Sequence, residues 1–106
     1  MKGRYMNTYD ELLEVVKALD KRFPDGNGIF QRVSRLAEET GELAQAVNHR
    51  EGMGIKRDKY GEPDAEQLVK EIQDVMRAVV GVALHYGLEE ELERSIHTAY
   101  ERSREG

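Results

Sequence analysis

Four acidic residues stand at matching offsets in two otherwise apolar-patterned segments: Glu39 with Glu42, and Glu71 with Asp74. Members of each pair are one helical turn apart, which leaves their Cβ atoms about 5–6 Å from each other on one face of a helix. On a wheel of about 100° per residue, Glu39 falls between Ala46 and Leu43, within an arc that continues through Leu36, Val47, Val33 and Ala44 to Phe30. Glu42 lies on the edge of that arc. Glu71 likewise falls between Ala78 and Val82, among Leu68, Val69, Ile72, Val75, Met76, Val79, Val80 and Ala83, with Asp74 at the edge. A carboxylate in an apolar arc is costly to desolvate unless a cation meets it. For one such pair, the ordinary explanation is a salt bridge along the helix, and Arg35 to Glu39 and Lys70 to Asp74 both have the four-residue spacing for one. Two pairs on helices joined by a loop, and so expected as antiparallel neighbours, would instead bring four carboxylates into one pocket with too little arginine to neutralise them. Every ligand on offer is an oxygen, so the expected guest is a hard divalent cation, Mg²⁺ with Mn²⁺ as a substitute.

Mg²⁺ keeps water in its shell and is commonly held by carboxylates together with substrate phosphates, which points to phosphate chemistry. A triphosphate approaching four bare carboxylates is repelled, whereas bound Mg²⁺ reverses the local sign. Metal ions also acidify a coordinated water and so supply a nucleophile for in-line attack at phosphorus. Glu38, beside the first ligand and about a quarter-turn around the helix, is the candidate acceptor of that water's proton, although an exposed helical glutamate explains it equally well. Arg32 and Arg35 lie one or two turns before Glu39 and are candidates to touch phosphate. For Arg35, the bridge to Glu39 is as good a reading.

Four helices are expected to position these groups. The first starts at Thr8-Tyr9-Asp10-Glu11, with Thr8 as cap and Glu11 as its capping-box partner, and ends near Phe23-Pro24. The second runs from about Ile29 to Asn48. Residues 51–62, with Gly52, Gly54, Lys56, Arg57, Lys59 and Gly61, have no periodicity and read as a connection. A third helix starts at Pro63-Asp64-Ala65-Glu66 and continues through Leu84 to Gly87, a residue suited to the left-handed position after a helix end. The fourth follows at once, with Glu89, Glu90 and Glu91 at its positive end and Arg94, Arg102 and Arg104 toward the other.

The run Leu36-Ala37-Glu38-Glu39-Thr40-Gly41-Glu42-Leu43-Ala44 and the later Glu71-Ile72-Gln73-Asp74, with residues 43–70 lying between Glu42 and Glu71, resemble the Glu-Glu-x-x-Glu and Glu-x-x-Asp signature of MazG-like nucleoside triphosphate pyrophosphohydrolases. The likeness covers nearly the whole chain from the second helix onward. It implies an all-α, four-helix domain that assembles as a helical-bundle homodimer or a dimer of dimers, with Mg²⁺ on Glu39, Glu42, Glu71 and Asp74. It also implies cleavage between the α and β phosphates of a nucleoside triphosphate, releasing a monophosphate and pyrophosphate, with a house-cleaning role against noncanonical nucleotides. The family often has Gly-Asp where this chain has Gln73-Asp74, at a position that is not a ligand. Members also commonly carry a Lys and an Arg on the last helix that hold substrate phosphates. Arg102 or Arg104 fits the arginine role, whereas the lysine's neighbourhood is occupied by Thr98-Ala99-Tyr100; Lys56, Arg57 or Lys59 are candidate stand-ins, although solvated loop charge is the ordinary reading of them.

Composition narrows the field further. Sixteen Lys+Arg against 21 Asp+Glu give a net charge of −5, with 39% hydrophobic and 35% charged residues and no cysteine or tryptophan. Thiolate metal sites and disulfide scaffolds are excluded. An acidic chain without a basic stripe is a poor binder of duplex nucleic acid or membrane surfaces. No run approaches the roughly 18 apolar residues of a membrane span, so a cytoplasmic protein is expected. His49, His85 and His97 have no paired spacing for zinc. Phe30, Tyr86 and Tyr100 are candidates to stack on a base, but core is the expectation for Phe30, with Tyr100 open. Gly52-x-Gly54 lacks the context of a phosphate loop. At 106 residues, the third helix has too broad an apolar arc for its short neighbours to cover, which again favours a homo-oligomer. Two other readings are phosphoribosyl-ATP pyrophosphohydrolase, which shares the acidic two-helix design, and a non-catalytic metal-binding helical interaction module. Gly41-Glu42-Leu43 favours the MazG-like branch over the former.

Overall fold

Among the described residues the second and third long segments share the most extensive contact, and the first and last helices pack against the third. In a computed structural model, which describes residues 6–52 and 64–105, the elements are α1 (Thr8–Arg22), α2 (Ile29–Arg50), α3 (Ala65–His85) and α4 (Glu89–Ser103). The described residues contain helices and no strand, as the hydrophobic periodicity requires. Lys56, Arg57, Lys59 and Pro63 lie outside the described residues. No described helix is long and apolar enough to cross a membrane.

Local chemistry accounts for the helix ends. The cap of α1 is Asn7, not Thr8: the Asn7 side chain accepts from the Asp10 amide at 2.8 Å, and the Asp10 carboxylate accepts from the Asn7 amide at 3.3 Å. An asparagine is as good a cap as threonine, and Asp10 stands three residues after it, so the reciprocal box closes one residue earlier than expected. Asp64 caps α3 by accepting from the Glu66 amide at 2.9 Å. Gly87 takes a positive φ of 68° after α3, and the Leu88 amide donates back to the Ala83 carbonyl at 2.9 Å, turning the chain directly into α4. At the start of α4, the Tyr9 hydroxyl donates to the Glu89 carbonyl at 2.6 Å and ties α4 to α1.

Arg32 of α2 lies against Gly81 of α3, while Glu39 and Glu42 meet Glu71, so α2 and α3 run antiparallel. The centre of this packing is charged. Arg32 is only 7% exposed, and its Nη2 donates to Asp20 of α1 at 2.6 Å while its Nε donates to the Asn27 carbonyl at 3.0 Å. Room for the guanidinium comes from Gly81, where an added Cβ would stand 2.8 Å from Arg32 Nη1. One ion pair thus staples α1, α2 and the loop between them over the bare backbone of α3. Removing its anion leaves a buried cation unpaired: Asp20→Ala is expected to cost about 2–3 kcal/mol of folding free energy, below the range for a fully buried pair because Asp20 is partly exposed. Urea unfolding of the two proteins in parallel checks this.

Apolar burial is sparse by contrast. Among the described residues, the buried hydrophobic side chains are Val16, Ala78 and Val80. Phe30, expected in the core, is 85% exposed, because the face of α2 turned to its neighbours is occupied by Arg32 and the residues one and two turns on. Val69, Ile72, Met76 and Val79 of α3 are exposed as well, as are Tyr86 and Tyr100. The radius of gyration is 16.8 Å, against about 13 Å for a compact domain of about 100 residues. The single chain is an open assembly of helices whose broadest apolar faces look outward.

Candidate metal centre

Glu71 projects from the second turn of α3 toward α2 and is 7% exposed. Its Oε2 accepts from Gln67 Nε2 at 2.6 Å, one turn earlier on the same helix, and its Oε1 is buried with no hydrogen-bond partner among the described residues. Opposite stands Glu39, half-buried on α2, whose Oε1 is also buried and unpartnered. Glu42, one turn along and exposed, completes the group: one carboxylate oxygen from each of Glu39, Glu42 and Glu71 lies within 4.8 Å of the others. The antiparallel packing of two helices with Glu-x-x-acid spacing therefore gathers three of the four expected ligands.

Asp74 stands at the rim. Its Oδ2 accepts from Lys70 at 2.9 Å, the four-residue bridge anticipated above, and its Oδ1 is 3.8 Å from Arg77. Both cations are on its own helix, so among the described residues Asp74 has close ion pairs where Glu39 and Glu71 have none. It remains near Glu39, with which it lines a cleft of about 160 Å³. The companion bridge from Arg35 to Glu39 does not form among the described residues; the Arg35 guanidinium donates to the Gly26 carbonyl at 2.7 Å and braces the loop between α1 and α2. Arg35 nevertheless lines the cleft. Glu38 is exposed and outside both the cluster and the cleft lining. Arg102 and Arg104 are exposed at the far end of α4, Arg104 over the Tyr100 ring, and neither lines the cleft. Arg32 lines it too, but its guanidinium is engaged by Asp20 and Asn27. Two residues at this site escaped the sequence reading: Gln67, which orients Glu71, and Arg77. Both were visible as polar residues at helical spacing from a ligand, four before Glu71 and three after Asp74, a signal that surface residues share.

Burial holds the Glu39 carboxyl above its ordinary value, and the nearby charges of Asp74, Glu42 and Glu71 push in the same direction against Lys70. Lys70 is correspondingly raised by its bond to Asp74. A cluster that repels its own charge and leaves two buried acceptor oxygens unmet fits an oxygen-preferring divalent ion. The pH consequence has a definite sign. Because folding raises the Glu39 value, the stability it contributes is fully present below the ordinary glutamate range and is lost as pH rises through the raised value. In chelator, the melting temperature of the wild type relative to Glu39→Gln is expected to fall as pH rises from the ordinary glutamate range through the raised Glu39 value. Saturating Mg²⁺ should reduce that slope, and thermal melts across the pH series read it.

No protein-family model matches the chain, and no solved structure matches it. A relative in Bacillus subtilis, the uncharacterized protein YpjD, is 40% identical over 67 residues. The match covers 61% of this chain and 58% of that protein, so the chain spans less than two thirds of the relative's length. Its name specifies no activity.

Proposed function

We propose that this protein is a Mg²⁺-dependent nucleotide pyrophosphohydrolase that adds water across the α–β phosphoanhydride of a nucleoside triphosphate, giving a monophosphate and pyrophosphate, and that it works as a homodimer or homotetramer. The observation that carries this reading is the convergence of Glu39, Glu42 and Glu71 from two antiparallel helices with unmet buried oxygens on Glu39 and Glu71. Two helices do not bury such a group for packing alone, since each uncompensated carboxylate is costly out of water. The resemblance of the two acidic motifs to the MazG-like signature gives the same answer from the sequence side.

In this role, Glu39, Glu42 and Glu71 hold the cation, with Asp74 at the rim. Gln67 keeps one Glu71 oxygen occupied so that the other faces the cluster. When held there, Mg²⁺ would neutralise phosphate oxygens and acidify a water for attack at phosphorus. Glu38, the proposed general base, would have to turn in from its exposed position to take up a proton, and Arg35 would have to leave the Gly26 carbonyl to meet the phosphates. The exposed apolar faces of α2 and α3 support association with further copies. Noncanonical nucleotides in the cytoplasm are the proposed targets.

Pyrophosphate release should be assayed across a panel of ordinary and modified nucleoside triphosphates beside phosphoribosyl-ATP, with and without chelator. Release from a nucleoside triphosphate that stops in chelator is the expected result. Turnover confined to phosphoribosyl-ATP would move the protein to that enzyme. Metal binding without release from any substrate would make it a non-catalytic helical module.

A further inference from the structure

The cleft beside the acidic cluster carries positive as well as negative side chains. Glu39 and Asp74 line it together with Arg32, Arg35, Arg77 and Gly81. The three guanidinium groups are not equivalent. Arg32 is closed off by Asp20 and the Asn27 carbonyl, and Arg35 is turned to the Gly26 carbonyl. Arg77 donates through Nη2 to Gln73 Oε1, and its Nη1 stays 3.8 Å from Asp74, too far for a hydrogen bond. Its Nε is buried and has no acceptor among the described residues. A guanidinium with an unmet N–H and only a loose ion pair has donor capacity to spare for an anion in the cleft it lines.

The form of that ligand follows from its neighbours. It must meet a cation-holding cluster on one side and a guanidinium on the other, which requires several acceptor oxygens on one anion. Phosphate groups and planar guanidinium forks suit each other in this way. At about 160 Å³ the cleft is smaller than pockets that enclose whole ligands of nucleotide size, which run to about 300–1,000 Å³. It has room for a phosphate end and leaves the base outside. We propose that Arg77 is a substrate-binding residue that grips the phosphate tail, and afterwards the pyrophosphate product, from one turn beyond Asp74 on the same helix. This assignment rests on the pyrophosphohydrolase reading above. It places the tail's cationic partner on the metal-bearing helix itself, not on the last helix.

The experiment uses the full chain as wild type, Arg77→Gln and Arg77→Lys. Inorganic pyrophosphate is titrated calorimetrically in Mg²⁺, and Mn²⁺ alone is titrated by electron paramagnetic resonance. Arg77→Gln is expected to weaken pyrophosphate binding about 10- to 100-fold, as for loss of a charged hydrogen bond. Mn²⁺ affinity should stay within about threefold of wild type, because the residue does not coordinate the ion. Arg77→Lys should recover part of the loss and decides the matter if the glutamine variant does not fold. Unchanged pyrophosphate affinity, or a parallel loss of Mn²⁺ affinity showing that Arg77 serves only to brace Asp74, would overturn the assignment. Wild type that binds Mn²⁺ but not pyrophosphate would overturn it while leaving the metal centre intact. Wild type that binds no Mn²⁺ would remove the metal reading and this assignment together.

Discussion

Glu71→Gln is expected to lower pyrophosphate release by at least about 100-fold and to leave the helices folded. Glu71 is the most deeply placed carboxylate of the cluster, with one oxygen fixed by Gln67 and the other buried without a partner. Glutamine has nearly the same shape but no charge, so the cation loses its deepest anionic ligand while the packing around the side chain persists. The metal-free variant should melt no lower than wild type, because a buried repulsive charge has been deleted. Three readings separate the causes: turnover, Mn²⁺ affinity and the helical circular dichroism melt. Loss of the first two with the third preserved is the expected pattern, and normal turnover would take Glu71 out of the site. Asp74→Asn should also lose at least about 100-fold in turnover. Its effect on Mn²⁺ affinity should be smaller, because Asp74 already has Lys70 as a partner.

The second large effect is on assembly. Val79 is exposed on the single chain and lines an apolar groove of about 530 Å³ with Val33, Leu36, Val82, Tyr86 and Leu92. An apolar surface of this kind is where the proposed homo-oligomer would place its contact. Val79→Glu is therefore expected to weaken self-association by at least about 100-fold, since an unpaired carboxylate would be buried in each copy of the contact. Sedimentation equilibrium should find an oligomer for wild type and monomer for the variant, with a lower melting temperature at equal concentration. A wild type that is monomeric and stable at micromolar concentration would contradict this.

The helices were legible because their apolar residues recur at helical spacing and their ends carry strong local signals: Asp64 before α3, Gly87 after it, and the glutamates that open α4. The cap of α1 was misplaced by one residue because Asn7-x-x-Asp10 and Thr8-x-x-Glu11 are overlapping boxes of similar quality. The acidic pairs were legible for a different reason: a charge inside an apolar arc contradicts its surroundings, and two contradictions at one register imply a common cause. The partner choices of the arginines were not legible. Arg35 is four residues from Glu39, yet it reaches the Gly26 carbonyl, and Arg32 pairs with Asp20 across a turn. Such choices depend on how the loop folds back over α2, which helical periodicity does not encode. Phe30 was misread for a related reason. A wheel identifies an apolar face, but not whether that face meets the same chain, another chain or water.

Gly81 lines the cleft and leaves no clearance for a side chain beneath Arg32. The floor of that recess is consequently set by a hydrogen atom. A single methyl group there would collide with a guanidinium that Asp20 and Asn27 hold in place. The bore of the recess is thereby adjustable at a position that carries no side chain of its own.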